Sequence, residues 1–180
     1  MNVDRIASLD WLRGMMALSI MIYHLTCWIF TPLNSASLLG RLGIYGVSIF
    51  FILSGLSMAV VYNNYINSFK TSLFFFIRRV FRIWPLLWIV CLFIIFSPIL
   101  NNQIYSIKII IYNLTTLFGF IAPTKYIATG AWSIGNEMVY YALTPMIIVL
   151  YNYKLWIGNL LFIVTLIIGL LFAFVFLIQK

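Results

Sequence analysis

Five stretches of about 20 mostly apolar residues recur along the chain, near positions 11–30, 42–62, 83–100, 132–151 and 156–178. A helix of about 20 residues crosses the hydrocarbon core of a bilayer. No water there satisfies bare backbone N–H and C=O groups, so spanning elements close their hydrogen bonds internally. The runs therefore imply an all-α, multi-pass transmembrane helix bundle. A further stretch at 104–121 is interrupted by Lys108, Asn113, Thr115 and Thr116. It reads as a poor span or as a re-entrant or interfacial segment, and the interruptions favour the latter. The third run holds Pro85 in what would be its first turn, where proline is tolerated.

Composition agrees. Of 180 residues, 64% are apolar and 8% charged, with a mean hydropathy of +1.10. Soluble domains are about half apolar and about a quarter charged, which excludes a soluble single domain, a disordered chain, a coiled coil and collagen. The net charge of +8 would suggest nucleic acid in a soluble protein. In a membrane chain it marks cytoplasmic loops and contacts to anionic lipid or ligand groups, so lipid and not nucleic acid is the expected partner.

Lys70, Arg78, Arg79 and Arg82 hold four of the eleven basic residues between the second and third runs. The positive-inside rule places that loop and the N-terminus in the cytoplasm, and the 31–41 loop outside. If 104–121 does not span, Lys154 is cytoplasmic as well. The small cluster Ser35-Ala36-Ser37 resembles a signal cleavage site, but the run before it is too long and contains Arg13 and His24, so it is read as a retained span.

Ionisable groups are scarce: one His, one Glu (Glu137) and two Asp (Asp4, Asp10). No metal site is expected from such an inventory. Cys27 and Cys91 lie within apolar runs and read as small hydrophobes. The absence of a phosphate-binding loop argues against a nucleotide-driven motor. An ionisable group inside a span is a candidate functional group. Arg13 and His24 are eleven residues apart, which returns to within about 20° of the same helix face with an axial separation of about 16 Å. They line one stripe, Arg13 toward the cytoplasm. The alternatives are a snorkelling Arg13 and a satisfied core His24. Asp10 lies about 21 Å from His24 along the axis, out of hydrogen-bond reach. That leaves Glu137, about one and a half turns into its own helix, as the one carboxylate able to orient His24. A neutral histidine so placed can take a proton from an alcohol.

Arg79 and Arg82, at i and i+3, put two guanidinium forks on one face at the membrane edge, suited to phosphate oxygens, although the basic stretch also serves topology. Gly43, Gly46 and the pair Ser54-Gly55 read as sites of close helix packing.

Four motifs now join. LDWLRGMMAL (9–18) leads to His24; FFILSGL occupies 50–56; FIRRVFRIWP occupies 76–85; and WSIGNE (132–137) continues to Tyr140, Tyr141 and Pro145. In this order the chain resembles the acyltransferase-3 family of bacterial multi-pass membrane acyltransferases that modify cell-surface carbohydrates. The resemblance covers residues 8–150, with Leu86-Leu87 where members often carry a tyrosine. It implies O-acyl transfer, usually of acetyl, from cytoplasmic acyl-CoA to a hydroxyl of a surface glycan such as lipopolysaccharide O-antigen, in the bacterial inner membrane. By motif, Arg13 and His24 are the essential first-span pair and Glu137 the acid of the Trp-Ser motif. Arg79 and Arg82, with Arg78 beside them, are the donor-binding arginines at the cytoplasmic mouth. Whether His24 is a base or an acyl carrier stays open. The family's membrane domain is longer, so residues 1–180 read as its N-terminal half, with a missing C-terminal half as a possible partner. The competing readings are an inactive remnant or half-subunit, and a small anion transporter.

Overall fold

In a computed structural model the chain is described at residues 6–30, 33–34, 36–97 and 104–178. Asp4, Ser35, Thr31 and Pro32 lie outside the described residues. Among the described residues seven helices follow in order: α1 (Ala7–Ile29), α2 (Leu38–Tyr62), α3 (Phe69–Phe96), α4 (Ile107–Leu114), α5 (Phe118–Ile121), α6 (Ala131–Tyr153) and α7 (Leu155–Ile178). Five of them, α1, α2, α3, α6 and α7, are long and apolar enough to cross a membrane.

The third span departs from the sequence expectation. It begins at Phe69, so the basic stretch is helical and Pro85 lies mid-helix. The reason is a capping box: the Ser68 side chain accepts from the Thr71 backbone N–H while Thr71 Oγ1 accepts from the Ser68 N–H. Two orphan donors are satisfied there, well ahead of the apolar run. A mid-helix proline is tolerated in a span because neighbouring groups absorb the lost hydrogen bond. Ser37 caps α2 in a similar way, accepting from the Gly40 N–H at 3.0 Å.

The spans are arranged about α6, which meets α2, α3, α5 and α7, whereas α1 meets only α2 among the helices. Gly43 and Gly46 of α2 are buried where Tyr23 and Ile20 of α1 press against them, as their spacing suggests. Gly55 instead faces open space, and its neighbour Ser54 is buried with its hydroxyl unpartnered. The Asn152 amide donates to the Asn63 carbonyl at 3.0 Å, which ties the C-terminal ends of α6 and α2 together. Lys154 therefore lies at the same end as Lys70, Arg79 and Arg82, while Arg41, Lys108 and Lys125 lie toward the other.

Two apolar clusters hold the bundle. Toward the arginine end, Met58, Phe75, Val80, Met138 and Tyr141 pack across α2, α3 and α6. Toward the other, Leu87, Cys91, Phe118, Ile127 and Ala131 join α3 to α5 and the start of α6. Cys91 is fully buried as a free thiol.

The 104–121 stretch does not span. Eight-residue α4 is about 12 Å long, and α5 is a single turn whose Gly119 lies directly against Gly135 of α6, where a Cβ on either would collide. Asn113 holds the segment: fully buried, it donates to the Ile109 and Lys125 carbonyls and accepts from the Ile127 N–H at 2.8 Å. Thr116 sits at φ 59°, costly for a β-branched residue, and its hydroxyl accepts from Trp84 of α3. Trp88 adds a 2.7 Å bond to the Leu114 carbonyl. The side chain of Asn113 thus substitutes for backbone partners that an irregular segment lacks at membrane depth. Asn113→Ala strands the buried Ile127 N–H, at about 1–3 kcal/mol, and frees the part-buried Lys125 carbonyl. The expected result is faster hydrogen exchange at the 125–127 amides, with α2 protection unchanged.

Candidate functional site

Three of the cavities among the described residues lie together between the spans. The first, about 430 Å³, is walled by Arg13 from α1, Arg79 and Arg82 from α3, and Ser57 and Tyr62 from α2, with Asp10 as its one carboxylate. The second, about 420 Å³, shares Arg13, Arg82 and Phe50 with the first and adds Glu137, Ser133 and the 128–131 turn. The third, about 210 Å³, lies between Ala17, Ile20, Val47, Phe50 and Phe51, with Ser133 and Glu137 at its edge.

Helix periodicity explains the convergence. Arg13, Ala17 and Ile20 recur at i, i+4 and i+7 on one face of α1, and Arg79 and Arg82 at i and i+3 on one face of α3. The Arg13 side chain is 15% exposed; its Nη1 stands 3.6 Å from Asp10 Oδ1 and its Nε is buried with no hydrogen-bond partner. Its guanidinium carbon lies 5.3 Å from the Phe50 ring centroid. That ion pair is the one found among the described residues. Three guanidinium groups thus face the first cavity against one half-exposed carboxylate, leaving positive charge uncompensated at membrane depth. Such a site receives an anion favourably.

Arg79 has no carboxylate partner among the described residues. It is caged by aromatic faces: Tyr62 at 5.3 Å, Phe75 at 5.5 Å and Tyr141 at 5.0 Å. The ring quadrupoles replace part of the lost hydration, each contact contributing about 0.5–1 kcal/mol or more when dry. Tyr141 is 2% exposed, and its hydroxyl donates to Glu137 Oε1. One tyrosine therefore holds the carboxylate of the second and third cavities by its hydroxyl and an arginine of the first by its ring.

The candidate residues are not all gathered. Arg13, Arg79, Arg82 and Glu137 meet around the first two cavities. Arg78 is exposed and lines none of the three, since it points about 100° from Arg79 on the helix. His24 is half-buried, its ring against Tyr23 at 5.3 Å and Trp28 at 5.7 Å on its own helix. It lines none of these cavities, and the pairing with Glu137 that sequence allows is not made. Glu137 instead sits level with Ala17 and Ile20, so the open space ends about one helical turn short of His24. The i, i+4 spacing of Glu137 and Tyr141 was the available signal for their bond. Nothing local in the sequence marks Phe50 as the residue common to all three cavities.

The fold is that of a multi-span helical membrane protein with an arginine-lined cavity between its helices. Residues 6–180 match the family model described as "Acyltransferase domain", and the chain belongs to the acyltransferase-3 family of membrane acyltransferases. No curated protein and no solved structure matches the chain significantly.

Tyr141→Phe removes the bond to Glu137 but keeps the ring over Arg79; Tyr141→Leu removes both. In denaturant unfolding in detergent, the Leu variant is expected to be less stable than the Phe variant by about 1 kcal/mol or more, from the lost cation–π contact and apolar volume.

Proposed function

We propose that the protein is an O-acyltransferase of the bacterial inner membrane that moves an acyl group, acetyl as the usual case, from cytoplasmic acyl-CoA to a hydroxyl of a cell-surface carbohydrate. The observation that carries this reading is the convergence of Arg13, Arg79 and Arg82 on one cavity that continues toward Glu137. Arginine forks match phosphate oxygens, and the end bearing Lys70 and Lys154 is cytoplasmic by the positive-inside rule. The donor's phosphates dock there, and its thioester extends between the spans toward Glu137 and the His24 end of α1. In the transfer the acyl C–S bond breaks, a C–O bond forms to the acceptor, and the hydroxyl proton ends on the coenzyme A thiol. Glu137 and His24 are the groups able to carry that proton, and His24 alternatively carries the acyl group in transit. No metal enters the reaction.

Of the stripe that Arg13 and His24 share on α1, the Arg13 end, with Ala17 and Ile20, borders the cavities, which supports a working site; the His24 end borders none of the three. A half-subunit reading draws on a different observation: α1 meets only α2 among the helices and has no fully buried residue, so further helices would complete the surroundings of His24.

The test is glycan O-acetylation in cells making an acylatable surface polysaccharide. Arg82→Ala is expected to raise the KM for acyl-CoA about tenfold or more, the loss of one charge-assisted hydrogen bond at about 1.5 kcal/mol or more, with a smaller effect on kcat. His24→Ala and Glu137→Gln are expected to abolish transfer in properly inserted protein. Full O-acetylation by either would remove that residue from the chemistry. Uptake of an anion without acyl-CoA dependence would replace the enzyme reading by the transporter one.

A further inference from the structure

The third cavity differs from the other two in chemistry. Ala17, Ile20, Val47, Phe50 and Phe51 make five of its seven lining residues apolar, and its polar edge is Ser133 and Glu137. No arginine lines it. Phe50 alone borders all three cavities, and it is held in place: the Arg13 guanidinium lies over its ring, and Phe51 beside it packs edge-on against Tyr140 of α6 at 5.2 Å. A ligand that anchors its phosphates in the arginine cavity must pass Phe50 to reach the third.

We propose that the third cavity is a pocket for the hydrocarbon tail of a short acyl group, entered past Phe50 and walled by Ile20 and Val47. Apolar walls favour a hydrocarbon over a sugar, because each hydroxyl brought in would need a hydrogen-bond partner that these side chains lack. Its volume of about 210 Å³ equals about seven water-sized units of about 30 Å³ each. That is more than acetyl requires and far less than a long fatty chain. The pocket therefore takes acyl tails of several carbons, with the carbonyl left at the edge beside Ser133 and Glu137. Ala17, which borders the first cavity as well, stands with Phe50 at the entry, and any larger side chain there projects into the space. The identity of the tail rests on the acyl-transfer reading; the existence and entry of the pocket rest on the cavities alone.

Two measurements test these parts separately. In a chain with Cys27 and Cys91 replaced by alanine, Ser133→Cys reports the pocket without any enzymatic activity. Its modification rates by ethyl and hexyl methanethiosulfonate are compared. The hexyl-to-ethyl ratio is expected to fall at least tenfold on adding Ala17→Leu and to rise on adding Phe50→Ala. A ratio unchanged by both, in chains that label equally once denatured, overturns the pocket. In the native-cysteine enzyme, hexanoyl-CoA is expected to be a donor and palmitoyl-CoA not, and Ala17→Leu to lower the hexanoyl-to-acetyl ratio of kcat/KM at least tenfold. An unchanged ratio overturns the assignment to acyl chains. Loss of all acyl transfer from the unmodified enzyme would refute the acyltransferase reading instead, and the thiol measurement would still decide the pocket.

Discussion

A guanidinium group cannot be left bare at membrane depth, and the three that face the first cavity shape much of what surrounds them. Born-type desolvation of a single ion is large enough to unfold a marginal bundle, so each arginine must regain hydration by other means. Arg13 does so with Asp10 and the face of Phe50, and Arg79 with three aromatic rings. Arg82 keeps its exposure at the cavity mouth. These substitutes are weaker than a fully paired carboxylate. They hold the helices together while leaving positive potential available to a ligand.

The same constraint accounts for the centrality of α6. Its Glu137 and Tyr141, one turn apart, face the arginines, and its first residues are fixed from the other side by α5 and by the turn that Asn113 secures. The non-spanning segment thus supports the site. Its Asn113 secures the turn at 125–127, and residues 128–130 just after that turn line the second cavity and lead into α6. Trp84 and Trp88 link that segment to α3, so the helix that carries the arginines also positions the far wall of the space they open into.

Much of the candidate site was legible because the membrane makes polar residues conspicuous. Arg13, Arg79, Arg82 and Glu137 stand out in an apolar chain, and period 3.6 predicts which of them share a face. That His24 and Glu137 stay apart was not legible. Similar depth on two helices does not imply contact, and the rotation of α6 directs Glu137 to Tyr141 and to the cavities below Ile20. The start of α3 was missed for a simpler reason: an apolar run locates the membrane-embedded part of a helix, whereas the helix itself starts at its cap, here Ser68 and Thr71.

By itself, then, the sequence determined the class of fold and the five apolar runs long enough to span, which follow from hydrocarbon thickness, and it favoured a non-spanning 104–121; the family followed from the resemblance of its four motifs. Only the tertiary structure decided which polar residues meet, that Arg78 stands apart, that Tyr141 joins Glu137 to Arg79, and that Phe50 borders three cavities. Those facts depend on how helices distant in sequence are rotated against one another. That rotation is set by side-chain packing across α2, α3 and α6, which no local pattern encodes.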